Sequence, residues 1–228
     1  MKKLLLALLL CLSLSGYAAE KEYTYIFFYK TDDAEKKQME KVFDSAVEQV
    51  KEKVKAKKVD IDDKSGKVLV EKYDLQKAPM PFVMVFAPNG AITGAFVAPL
   101  NSQELTQAFV SPTTEEILQP LQEGKFVFLM VQNSKTKKNQ EALKGVNEFQ
   151  ADSKYRDATE IITLDPSNSQ ESELLEKIEV DPKTKEAVTV FFLPPGEMVG
   201  KFTGATSKVE IESTLQQALS EMNRARTE

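Results

Sequence analysis

A ten-residue pattern, Pro81-Phe-Val-Met-Val-Phe-Ala-Pro-Asn-Gly90, returns 106 positions later as Ala187-Val-Thr-Val-Phe-Phe-Leu-Pro-Pro-Gly196. Each copy reads as a buried strand running into a turn. The copies stay in step beyond it, with Gly94 and Gly200, Phe96 and Phe202, and then an amphipathic helix whose capping glutamate is Glu104 in one and Glu210 in the other. A repeat at this offset in 228 residues leaves room for two domains of about 100 residues, each large enough to bury its own core. One fold is written twice.

Taken in order, Tyr23 to Tyr29 is aromatic and rich in β-formers, so it reads as a central strand. Thr31, Asp32 and Asp33 offer caps for a helix whose Met39, Val42, Phe43, Ala46, Val47 and Val50 recur at helical spacing. Lys51 to Lys58 concentrates positive charge, which the macrodipole favours at that helix's end. Val59 to Asp62 closes a second strand and Asp63 to Gly66 follows as a loop. Asp60, Asp62 and Asp63 invite a calcium reading that fails on spacing, because Lys64 and Ser65 stand where a ligand and a glycine are required. Val68 to Tyr73 reads as a short helix, Phe82 to Phe86 and Ala91 to Val97 as strands, and Asn101 with Glu104 as a capping box. Ser111-Pro112 marks a boundary, with Thr113 and Glu116 opening a new helix. The second half repeats the order: strands at Lys125–Val131, Thr159–Leu164, Val188–Leu193 and Glu197–Phe202, helices around Leu143 and Val146 and at Glu173–Ile178, and a last helix capped by Ser207 and Glu210.

Residues 1–18 have the form of a secretory signal: Lys2-Lys3, an apolar run from Leu4 to about Leu14, and Gly16 and Ala18 as the small residues before a cut. The expected mature protein is exported to the periplasm or the extracellular space and carries no transmembrane segment, since no later stretch approaches about 20 apolar residues. The minor alternative is a lipoprotein anchored through Cys11, against which stands Leu10 in a place where a small residue is expected. Cys11 is the sole cysteine and there is no histidine. Loss of the signal then removes thiol nucleophiles, disulfides, Cys/His zinc sites and Ser-His-Asp triads together. The net charge of −5 argues against nucleic acid as a partner.

A β-α-β-α-β-β-α order in about 100 residues, with a proline opening the third strand and a turn glycine nine residues later, resembles the thioredoxin fold. The implied architecture is α/β: two consecutive thioredoxin-like domains, residues 19–111 and 112–228, each a central mixed sheet flanked by helices. The family's proline is cis and lies beside the active-site loop. Pro81 matches it, Pro79 less well, and Ala187 in the second copy should follow a trans bond. Where the family's enzymes carry Cys-x-x-Cys, at the strand-to-helix junction that acidifies a thiol, this chain has Asp33 and Lys36, and in the second copy residues within Asn133–Lys138. Neither set can exchange disulfides. Asp33 and Lys36 also read as an N-terminal helical carboxylate with an exposed partner at i+3.

What remains resembles the non-catalytic thioredoxin-like domains of tandem chaperones and calsequestrin-like proteins. That implies an exported protein without a catalytic residue, metal or other cofactor, which binds or scaffolds another exported or envelope protein. Met80, Pro81 and Phe82 form the expected peptide-contact loop, unless Phe82 alternates into the core with Met84 and Phe86. The alternative is an enzyme or metal-binding protein whose site is made of carboxylates and lysines. An apolar inter-domain groove favours the first reading, converging buried carboxylates the second.

Overall fold

The structure, a computed structural model, describes residues 22–31, 33–51 and 53–225. The signal segment with Cys11, and the candidate cap Asp32, lie outside the described residues. The first half runs β1 (Tyr23–Tyr29), α1 (Ala34–Val50), β2 (Val54–Asp60), α2 (Lys64–Lys72), β3 (Phe82–Phe86), β4 (Ile92–Val97) and α3 (Ser102–Thr106). The second runs α4 (Pro112–Gln122), β5 (Phe126–Val131), α5 (Asn139–Gln150), β6 (Thr159–Leu164), α6 (Ser172–Lys177), β7 (Val188–Leu193), β8 (Glu197–Thr203) and α7 (Lys208–Ala225). The sheet orders are β2-β1-β3-β4 and β6-β5-β7-β8. In each, the first pair is parallel and the other two antiparallel. Even the irregularity repeats: the register shifts at Val85/Phe86 and again at Phe191/Phe192.

The inner strands are apolar on both faces because helices cover both. Tyr25, Phe27, Val83 and Val85 pack against Met39, Phe43 and Ala46 of α1 and Leu105 of α3. On the opposite face Ile26, Phe28, Phe82, Met84 and Phe86 pack with Leu75. The second sheet divides likewise, with Phe128, Met130 and Phe191 toward α5 and α7 and Val127, Leu129 and Val190 toward Ile117, Leu121 and Leu175.

Three local readings are corrected. The lysines of 55–58 are in β2, an edge strand of which only Val54 is buried, and not at a helix end. An edge strand exposed on both faces carries no period-2 signal, and lysines there discourage pairing with other chains; Lys58 is held by Glu40 at 2.9 Å and Asp44 at 2.8 Å. Residues 64–66 start α2 and are not a loop, and Gly66 lies so close to β2 that an added Cβ would fall 1.9 Å from the Asp60 carbonyl oxygen. The cap of α4 is Ser111, with Pro112 at the first helical position; Thr113 is buried instead.

The Asn101–Glu104 capping box forms with both reciprocal bonds, at 3.0 and 2.9 Å, and α3 positions buried Leu105. Its carbonyl accepts the Tyr25 hydroxyl at 2.7 Å. Replacing Asn101 by Ala is expected to cost about 1 kcal/mol, read as a lower urea midpoint with an unchanged slope. Full retention of the midpoint would show that α3 is held by Leu105 alone.

Candidate functional site

Phe28 pairs with Phe82, which sets Pro81 opposite the end of β1, where the chain turns into α1. Asp33, extended, caps that helix: its Oδ1 accepts the Lys36 N–H at 2.9 Å and its Oδ2 accepts the Thr31 hydroxyl at 2.6 Å. The Lys36 N–H first, then the Thr31 hydroxyl, hold the Asp33 carboxyl below the usual carboxylate range. The Lys36 ammonium turns along the helix to Glu40 at 2.7 Å and over the Tyr29 ring at 4.9 Å from its centroid. It is therefore not the exposed i+3 partner of the sequence reading: its side chain is 15% exposed. Sequence position brings Asp33 and Lys36 together, and helix capping and an ion pair occupy them.

The Met80–Pro81 bond is cis, as are Ala98–Pro99 and Pro194–Pro195. Pro81 is buried and Met80 half-buried. Phe82, expected as an exposed contact, is 4% exposed and stacks on Phe28 with centroids 5.0 Å apart. Its alternation with Met84 and Phe86 places all three in one cluster, so of the two readings of Phe82 the core one describes it.

In the second half, Val131 pairs with Val188, setting Ala187 opposite the same strand end. The chain there is laced shut. Lys137 N–H donates to the Lys185 carbonyl and Ala187 N–H to the Lys137 carbonyl, both at 2.9 Å. Thr136, buried, bonds both Asn133 and Asn139, and Lys138 meets Glu186 at 3.3 Å. The two mixed sheets share strand order, strand directions and the register shift in the third strand. Both halves have the thioredoxin fold.

No protein-family model matches the sequence, and no curated protein does. Solved structures with similar backbones include human ERp44 in form II, with 11% identity over 89% of this chain and 53% of that one at a TM-score of 0.37. The first two thioredoxin domains of Saccharomyces cerevisiae Eps1p align at 12% identity over 81% of this chain and 86% of theirs, TM-score 0.31. Deadhead, a germline-specific thioredoxin of Drosophila melanogaster, aligns at 24% identity over 40% of this chain and 80% of its own, TM-score 0.33.

The open surface at this end of the first thioredoxin-like domain lies one turn along α1. Glu35, Gln38, Met39 and Val42 face Ala98, Pro99 and Leu100 of the β4–α3 connection across a groove of about 160 Å³. Its floor is apolar and its rim polar. Sequence reading identified Met39 and Val42 only as core and missed the other wall; the Ala98-Pro99 dipeptide directly after β4 was the available signal.

The inter-domain cleft, about 150 Å³, mixes Phe109, Val110 and Leu174 with Gln107, Gln170, Glu173 and Lys177. It is neither the apolar groove nor the converging carboxylates that would separate the two functional readings. Among the described residues Glu171 is the buried carboxylate, and its Oε1 is engaged by Thr113. No group of three or more Asp, Glu, His or Cys among the described residues could hold a metal ion, and no described helix is long and apolar enough to cross a membrane.

Proposed function

We propose that this is an exported, redox-inactive tandem thioredoxin-like protein that binds another polypeptide, acting as a chaperone-like or scaffolding module. The observation that carries the reading is the strand-to-helix junction of the first domain. Where a thiol pair would act, Asp33 is committed to capping and Lys36 to Glu40 and Tyr29, while the apolar groove beside them stays open. The single cysteine lies within the signal-like segment and histidine is absent, so a mature chain has no thiolate for disulfide exchange. The contact surface moves from Met80 and Phe82 to Val42, Pro99 and Leu100, with Glu35 and Gln38 on the rim to orient a peptide.

Reduction of insulin tests both halves of the reading. With dithiothreitol as the electron donor, the mature protein is expected to leave the rate at which insulin oxidises dithiothreitol at that of the reductant alone. With reductant it is expected to delay aggregation of the released B chain, and Val42→Glu, which places a charge in the groove, is expected to shorten that delay several-fold. Faster oxidation of dithiothreitol in the presence of the mature protein would overturn redox inactivity. A delay equal for the unaltered protein and Val42→Glu would remove the groove as the binding surface, and no delay at all would remove the chaperone-like reading.

A further inference from the structure

Chain order assigns α4 to the second domain, and its Ile117 and Leu121 belong to that core. The neighbouring Leu118 packs instead on the core of the first domain. Its polar side chains divide the same way. Tyr23 of β1, 6% exposed, donates its hydroxyl to the Glu115 carboxylate at 2.6 Å and accepts from Val110 N–H at 3.1 Å. Asn89, in the turn after β3, donates to the Glu115 carbonyl at 2.7 Å. Two turns further on, Gln122 takes hold of the edge strand β4 as a neighbouring strand would. Its Oε1 accepts from Ile92 N–H at 2.8 Å and its Nε2 donates to the Ile92 carbonyl at 2.7 Å. Toward the second domain, Thr113 donates both its N–H, at 3.1 Å, and its hydroxyl, at 2.8 Å, to Oε1 of Glu171, which is 1% exposed.

Domains joined only through the chain move relative to one another unless a substantial interface prevents it. One attachment point leaves a rotation free. Here Glu115 and Gln122 are attached about 10 Å apart along the helix axis, which leaves rotation about the line joining them, and the packing of Leu118 on the first domain's core opposes that rotation. Opening the Thr113 end breaks both hydrogen bonds to Glu171 Oε1. We infer that α4 is a strut built into both thioredoxin domains, so that the pair behaves as one rigid body and not as two arms on a hinge. The inter-domain cleft between Phe109 and Leu174 is then a preformed surface of constant shape. This does not depend on what, if anything, the first domain's groove binds.

Spin labels on exposed positions of the two domains test it, using Lys41→Cys on α1 and Glu148→Cys on α5 in the otherwise unaltered mature chain. One narrow distance distribution is expected, widening at least about twofold when Tyr23→Phe and Gln122→Ala are added. A broad or two-peaked distribution before those additions overturns the strut, and so does a distribution that stays equally narrow after them. Should the combined variant not fold, Gln122→Ala alone, at an exposed site, is read by hydrogen exchange. A rise of about tenfold or more at the Ile92 amide, and smaller rises across β3 and β4, are expected; a rise confined to Ile92 means that α4 does not brace the first domain.

Discussion

Gly145→Val is expected to destabilise the second domain by about 3 kcal/mol or more, although helix propensity alone points the other way. Gly145 lies in the interior of α5, where a side chain normally stabilises by roughly 0.5–1 kcal/mol relative to glycine. Its surface, however, meets the chain entering α7. A Cβ at this position would fall 1.8 Å from the Thr206 carbonyl oxygen and 2.5 Å from the Thr206 carbonyl carbon. Those are backbone atoms and cannot rotate away. Gly145 is in fact what allows α5 and the start of α7 to approach. The two helices must separate to admit a branched side chain, and Val146 and Phe149 on one, with Ile211 and Leu215 on the other, share a single core cluster. Urea unfolding followed by circular dichroism gives the sign at once: a midpoint equal to or above that of the parent protein would mean that the approach of the two helices is looser than described.

The second large effect is expected at Phe191. It is fully buried on β7 and stacks on Phe128 with centroids 4.3 Å apart and planes 11° from parallel, while Phe126 meets it edge-on at 5.9 Å and Phe149 at 6.0 Å. Phe149 in turn stacks on Tyr155 at 4.1 Å, so the cluster ties β5, β7 and α5 to the turn before β6. Phe191→Ala removes both the transfer free energy of the ring and the contacts of its neighbours, about 3–5 kcal/mol in a site that cannot collapse, with aromatic geometry contributing part of it. Against a total stability of about 5–15 kcal/mol, the variant is expected to be partly unfolded at 37 °C, and Phe191→Leu is expected to recover most of the loss. If Phe191→Ala shifted the midpoint no more than an exposed substitution such as Lys144→Ala, the aromatic cluster would not be the core of this domain.

The internal repeat was legible because two different physical demands recur in each copy. An inner strand covered on both faces must be apolar throughout, and Phe82–Phe86 and Val188–Leu193 are. A helix start needs acceptors for its free N–H groups, and the pairs Asn101 with Glu104 and Ser207 with Glu210 supply them by reciprocal bonds. The Asp33 cap is of the same kind, since its partner is the N–H three residues on. The candidate site was only half legible. α1 gave one wall, while the other, Ala98 to Leu100, comes from a connection whose Ala98-Pro99 dipeptide marks a turn after β4 but not the helix it faces.

What the sequence by itself determined is therefore local or periodic: the twofold internal repeat, the inner strands, the caps, and the lack of any thiol or imidazole outside the signal-like segment. Tertiary structure decided what depends on partners far along the chain. It placed the lysines of 55–58 on a sheet edge and not at a helix end, because β1 offered them a strand to pair with. It turned Phe82 inward onto Phe28, a choice between two faces that a five-residue apolar run leaves undecided. It also gave α4 to both domains, through Tyr23 and Glu115, 92 positions apart, and Thr113 and Glu171, 58 apart. Hydrogen bonds over such separations leave no pattern in the sequence, because either partner alone reads as an ordinary surface polar residue until the fold buries it.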